Sequence, residues 1–311
     1  MVRIRQLADS KRSSASYFVA NYQYYIMLLP CIAFFLLFKY GPMYGVILAF
    51  KDFSFRKGIL GSEWVGFANF EYMFQLGTFY RVFANSLILS LLRIVFCFPV
   101  PIVLALMLNE MKNQGYKRIS QTIIYLPHFI SWVVVGGMLI NFLSPTWGVV
   151  NLLIKELGGE PIFFLGSDKW FRPIVVLSDI WKSAGWDAIL YIAALAGVQP
   201  ELYEAAQIDG ANRMQRIWHI TLPGIRSTIV TLFILRIGGL LSNGFEQIYM
   251  LQNGNNHMVS EVFETYSYSM GLLSGNYSLA TTVGLFQSVI SFIFLIGTNF
   301  LAHRIGEEGI W

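Results

Sequence analysis

Charge is scarce in this chain. Only 13% of its 311 residues are Asp, Glu, Lys or Arg, about half of the roughly 25% that soluble globular domains carry. Cysteine is scarcer still. Cys31 and Cys97 both sit in apolar runs, which excludes a disulfide scaffold and reads as two small hydrophobes. The histidines, His128, His219, His257 and His303, are too scattered for a metal-ligand spacing. No G-x-x-x-x-G-K-[ST] phosphate loop and no G-x-S-x-G elbow occurs, so ATP phosphates are not cradled by that route and no nucleophile has its base. Catalysis by this chain alone is not expected, and neither is a resident cofactor or metal. Basic residues are spread over helix ends and loops, so the net charge of +4 does not point to nucleic acid. No internal repeat or low-complexity tract is evident.

What is there is apolar: 55% of the residues are hydrophobic and 16% aromatic. Six segments, about Tyr24 to Phe50, Val82 to Leu108, Ile119 to Phe142, Phe171 to Gly197, Ile225 to Leu251 and Leu279 to Leu301, are each long enough to cross a bilayer core of ~30 Å. The pattern predicts an all-α membrane protein with six transmembrane helices in one membrane domain, 24–304. The first span is interrupted by Lys39, Gly41 and Pro42. Leu28-Leu29-Pro30-Cys31 resembles a lipoprotein cleavage site only superficially, because Pro30 is wrong for it and the apolar run continues, so the first span is expected to stay uncleaved.

Lysine and arginine gather on the cytoplasmic side of membrane proteins. With both termini inside, the tail (Arg3, Arg5, Lys11, Arg12), Lys112, Lys117, Arg118, Arg213, Arg216, Arg226 and Arg304 face the cytoplasm, eleven basic residues against seven outside. The loop from Gln252 to Ser278 has no Lys or Arg and is placed outside. Short cytoplasmic tails, 1–23 and 305–311, are therefore expected. The outer loop from Ser144 to Trp170 has room for a short interfacial helix over Val149 to Leu157 and for an extracytoplasmic partner.

Between the fourth and fifth spans lies a polar insert. Residues 199–223 read as a helix with Glu201 and Glu204 early, where the helix dipole favours negative charge, then Gly210, which permits a sharp reversal. A second helix follows, with Met214, Ile217, Trp218, Thr221 and Leu222 at helical spacing. Pro223 marks entry into the next apolar run. Two short helices around a glycine turn make a knob, and an organised polar knob at a membrane face calls for a partner.

Glu204-Ala205-Ala206, three residues, Gly210, nine residues, then Ile220-x-Leu222-Pro223 resembles the EAA loop of permease subunits of bacterial ATP-binding-cassette importers. Asp209 is also the residue usually seen before that glycine. The resemblance implies a type I importer permease fold in the bacterial cytoplasmic membrane, with the loop as a cytoplasmic coupling helix seated on an ATPase. It also implies the partners: a second homologous permease, two ATP-binding ATPase subunits carrying ATP and Mg, and an extracytoplasmic sugar-binding protein. A second pattern, Lys39-Tyr40-Gly41-Pro42-Met43-Tyr44-Gly45, Ala49-Phe50-Lys51-Asp52-Phe53 and Trp64-Val65-Gly66-Phe67-x-Asn69-Phe70, is similar to the LplB-type branch of sugar-importer permeases, assigned to oligosaccharides. Its aromatic residues suit the membrane–water interface.

Intramembrane charges are costly and mark pathways or internal pairs. Arg236 lies 11 residues past Ile225, about 16 Å along a helix and near the midplane. Arg236, Leu240, Asn243 and Gln247 are spaced by four, three and four and so share one helix face, and Asp179, Ser183 and Trp186 share one on the fourth span. Maltose-type permeases build their sugar site from these two spans, and the resemblance carries Ser183, Trp186, Arg236, Leu240 and Asn243 over by position. A guanidinium grips a carboxylate bidentately, so Arg236 suggests an acidic, uronate-containing oligosaccharide ahead of a neutral one. The other open reading has Arg236 pairing with Asp179, Asp187 or Glu246 to hold the bundle. Arg93 reads as structural, and Trp181 and Lys182 as candidates to face the partner permease. A gradient-driven secondary sugar transporter is the alternative, although neither paired repeats nor a broken midplane helix is legible and it gives the EAA loop no purpose.

Overall fold

The computed structural model describes residues 21–304 together with Gly306, Gly309 and Ile310, so the two expected tails lie largely outside the described residues. Helix α1 (Tyr22–Phe50) leads into strand β1 (Lys51–Asp52), which pairs antiparallel with β2 (Glu63–Trp64). Helices α2 (Ala68–Gln75), α3 (Gly77–Asn109), α4 (Gln114–Phe129), α5 (Trp132–Phe142), α6 (Val149–Glu156) and α7 (Asp168–Leu195) follow. After them come α8 (Pro200–Ile208), α9 (Arg213–Gly224), α10 (Arg226–Gly238), α11 (Phe245–Leu251), α12 (Phe263–Tyr268) and α13 (Tyr277–Arg304).

Three of these, α1, α3 and α13, are single helices long and apolar enough to cross a membrane, and the bent pairs α4–α5 and α9–α10 raise the number to five. The expected third span is thus two helices meeting at 95°. The segment Phe171 to Gly197 forms the continuous helix α7, whose polar residues keep it from qualifying on apolar character alone. The expected fifth span is not one helix either. It ends at Gly238, runs irregularly through Gly239–Gly244 and resumes at Phe245.

Lys39, Gly41 and Pro42 do not break α1, because the backbone widens into a π turn, Leu36–Tyr40, just before the proline. The same device recurs at Arg93–Cys97 before Pro99 and at Ile217–Thr221 before Pro223. In each case an i→i−5 hydrogen bond, given by Gly41, Phe98 and Leu222 respectively, is the last backbone bond before a residue that has no N–H to donate. At these three prolines the ladder shifts without ending the helix.

The pattern shared with the LplB-type branch forms a clasp between the first and last long helices. Asn69 Nδ2 donates to the carbonyls of Ala49 and Lys51, both at 3.0 Å. Ser278 at the start of α13 donates to Lys51 O at 2.6 Å and accepts from Phe53 N at 2.9 Å. Phe50 sits among Trp64, Phe67 and Phe70 with ring centroids 5.6–5.8 Å apart. Side-chain amide and hydroxyl groups thus satisfy the carbonyls at the end of α1.

Helices α4 and α7 approach through Gly185, where a Cβ would stand 2.1 Å from the carbonyl oxygen of Ile124. Small residues permit such close backbone approach in membranes. Gly185→Leu is expected to destabilise the bundle by about 2–3 kcal/mol, read as earlier thermal loss of the monodisperse peak in detergent. Unchanged stability would mean that α4 yields freely.

Candidate functional site

The knob forms as the sequence foretells. Helix α8 starts at Pro200, and Gly210 adopts φ +79°, a conformation that costs a residue with a Cβ roughly 1–2 kcal/mol. Asn212 caps α9 in a reciprocal box with Gln215, with bonds of 2.8 and 2.9 Å. The Tyr203 hydroxyl donates to Thr221 Oγ1 at 3.1 Å, tying the two helices together. Arg213 pairs with Glu110 at 3.4 Å, fixing the knob to the end of α3. Glu204, Ala205, Asp209, Gly210 and Pro223 are exposed, Ala206, Ile220 and Leu222 half-buried. Ile208, Met214 and Trp218 turn outward at 87%, 61% and 63% exposure, an apolar rim that none of the described residues covers. A groove of about 350 Å³ runs between Asp209, Gly210, Arg216 and His219.

The second constellation lies in the bundle. A cleft of about 370 Å³ is lined by Asp179, Ser183 and Asp187 of α7, His128 of α4, Arg236 of α10 and the apolar Phe98, Leu190 and Leu235. A second cleft of about 250 Å³ adjoins it, with Arg236 and Leu235 in the shared wall and Ser90, Arg93 and Leu240 beyond. Arg236 stands in the last turn of α10, where the negative end of the helix dipole favours a cation. Its side chain is 40% exposed, and Asp179 Oδ2 lies 3.8 Å from its Nη2. The same carboxylate oxygen is 3.7 Å from Nε of buried Arg93. Ser183 donates to the other oxygen at 3.1 Å.

The expected shared face of Arg236, Leu240, Asn243 and Gln247 does not exist, because the helix breaks after Gly238. Arg236 lines both clefts and Leu240 only the smaller one. Asn243 and Gln247 are buried at 0% and 1% exposure. Asn243 Nδ2 donates to Ser86 O at 3.1 Å, and its backbone N–H to Glu264 at 2.8 Å. Ser90 donates to Leu240 O. Gln287 donates to Leu241 O at 3.0 Å. Irregular backbone at membrane depth needs such protein partners, and they explain why two amides from the pattern are spent on structure. Gln247 accepts from Arg93 and donates to Val175 O and Ser178 Oγ of α7 at 2.8 and 2.9 Å.

On α7, Asp179 and Ser183 face the cleft, while Trp186 stacks on His128 with centroids 4.4 Å apart and planes 4° from parallel. Lys182 does not look outward to a partner. It is buried, and its Nζ donates to His128 O at 2.7 Å, pinning the end of α4 just before the bend. Trp181 is 49% exposed, beside an apolar groove against α5. Of the candidate partners for Arg236, Asp179 is the one in ion-pair contact. Sequence reading took the mid-span Arg93 as structural, in line with its burial and its bond to Gln247, without naming Asp179 as its neighbour; it missed His128 as a cleft wall, to which no signal pointed.

Residues 97–307 match the family described as binding-protein-dependent transport system inner membrane component. Protein LplB of Bacillus subtilis (strain 168) is 50% identical over 92% of this chain and 90% of its own. The polygalacturonan/rhamnogalacturonan transport system permease protein YteP of the same organism is 48% identical over 92% and 89%. A chain in the crystal structure of a bacterial ABC transporter involved in the import of the acidic polysaccharide alginate superimposes with a TM-score of 0.85 at 43% identity, covering 93% of this chain and 97% of that one. The chain belongs to the binding-protein-dependent transport system inner membrane components, the permease subunits of ATP-binding-cassette importers.

Proposed function

We propose that this chain is one of two homologous permease subunits of an oligosaccharide importer, that it couples to ATPase subunits through residues 199–223, and that uronate-containing chains are its preferred cargo. The observation that carries the reading is the pairing of an outward-turned knob with a cleft bearing Arg236 between the helices on either side of it. The relatives support the cargo class, one named for polygalacturonan and rhamnogalacturonan and one for the acidic polysaccharide alginate.

In this reading the six spans are α1, α3, the bent pair α4–α5, α7, the broken segment α10–α11, and α13. They make a membrane domain 24–304 in the cytoplasmic membrane, with both tails cytoplasmic. Helix α7 is 28 residues long, roughly 42 Å at 1.5 Å per residue, and connects the outer loops to the knob. A sugar-binding protein delivers cargo at the outer face. ATP and Mg bind on the ATPases, whose closure moves the knobs, and the clefts open alternately to the two sides. Only unequal binding to the two states can drive such a shift. Asp179, Ser183, Trp186, Arg236, Leu240, Asn243 and Gln247 are the proposed pathway and its support, with Arg236 and Ser183 nearest the sugar.

The break after Gly238 is a feature of many ion-driven carriers, yet by itself it does not name the energy source. Reconstituted in vesicles with its partners, the complex is expected to stop importing oligogalacturonate when internal ATP is removed, and to continue when ionophores collapse every ion gradient. Import that follows the gradient and ignores ATP would overturn the proposal.

A further inference from the structure

The carboxylate of Asp179 is shared by two guanidiniums held in very different ways. Arg93 is fixed: it is 7% exposed and bonded to Gln247, which is itself bonded to Val175 and Ser178 on α7. Arg236 is loosely held. Among the described residues no acceptor lies within hydrogen-bond reach of it, and Asp179 at 3.8 Å is a charge neighbour only. Arg93 Nε is buried without a hydrogen-bond partner, with Asp179 Oδ2 3.7 Å away. One carboxylate therefore stands between two cations and is hydrogen-bonded to neither, while its other oxygen is steadied by Ser183.

We propose that Asp179 is an internal counter-ion that Arg236 and Arg93 share while the cleft is empty and that passes wholly to Arg93 when a cargo carboxylate takes its place at Arg236. The proposal rests on the reading that Arg236 grips acidic cargo. Stripping one partner from a buried ion pair is costly because it leaves the other charge uncompensated. Here the displaced carboxylate has a second guanidinium at the same distance, with a donor already free. A neutral sugar brings no charge to exchange and leaves Asp179 where it is. The exchange also reports cargo to the knob, since Asp179 stands on the helix that enters it and Arg236 on the helix that leaves it. Asp179 is thus a specificity residue that acts through Arg236.

The test uses the whole importer complex in detergent, with trigalacturonate and its trimethyl ester as probes and bound sugar read by equilibrium dialysis. Removing the competitor in Asp179→Asn is expected to tighten trigalacturonate relative to the ester about tenfold, near 1.4 kcal/mol. Arg236→Gln checks the underlying reading, since it is expected to erase the difference between acid and ester. If Arg236→Gln keeps that difference, the reading of Arg236 fails. If it erases the difference while Asp179→Asn fails to tighten the acid relative to the ester, only the exchange fails. Should Asp179→Asn not assemble because Arg93 is left unpaired, the double variant Asp179→Asn with Arg93→Gln carries the same expectation. In the unmutated complex labelled with 13C-aspartate, trigalacturonate is expected to shift a carboxylate stretching band that the ester leaves in place; no shift overturns the exchange.

Discussion

Reversing the charge at Glu204 is expected to uncouple the proposed importer without unfolding this chain. Glu204 is exposed on α8, and its side chain makes no hydrogen bond or ion pair among the described residues. Glu204→Lys therefore removes nothing that holds this chain together, and exposed helix substitutions usually move stability by less than about 0.5 kcal/mol. Its effect is expected on the ATPase proposed to dock at the knob. Truncating or reversing a charge that a partner has desolvated costs about 2–5 kcal/mol, enough to lower ATPase occupancy by a factor of roughly 30 or more. Combined with Gly210→Pro, which cannot adopt the +79° φ of that turn, the change also splays α8 from α9. Purified with its complex, the unmutated chain is expected to carry an ATPase and a second permease. The double variant should lose the ATPase, keep the permease, and import nothing measurable. An ATPase retained at full stoichiometry would remove the coupling role from 199–223.

The knob was legible because its information is local. A glycine at the reversal and helical spacing of apolar residues each act within one or two turns, and the structure builds them where the spacing implies, adding an amide cap at Asn212 that sequence reading does not single out. The spans were legible as apolar runs for the same reason, but not their shapes. The run from Ile225 to Leu251 does carry turn residues at the break, Gly238-Gly239 and Ser242-Asn243-Gly244, but its apolar character outweighed them in the reading of one span, and what stabilises the interruption comes from elsewhere. Ser90 on α3, Gln287 on α13 and Glu264 on α12 take up the freed backbone groups. Periodicity counted across the break then assigned Asn243 and Gln247 to a face they do not share with Arg236. Lys182 was misjudged similarly: its partner, the carbonyl of His128, is 54 residues away and exposed only by the bend between α4 and α5.

Pairing within the bundle and binding in the cleft were competing readings of Arg236, and the geometry makes them compatible. The ion pair with Asp179 is long, and two-fifths of the Arg236 side chain stays open to the cleft. Arg236→Gln keeps a donor and similar length while removing the charge, and Asp179 keeps Arg93 as its counter-ion, so the bundle is expected to assemble. Hydrogen bonds to a charged group are worth about 1.5–3 kcal/mol. Uptake of oligogalacturonate at low concentration should accordingly fall by roughly 30-fold, while uptake of its methyl ester changes less than about twofold within the same arithmetic. Arg236→Lys retains charge but not the planar fork, and is expected to fall between the two. Measured as initial rates in vesicles with saturating binding protein, equal losses for acid and ester would show that Arg236 shapes the cleft without reading the charge of its cargo.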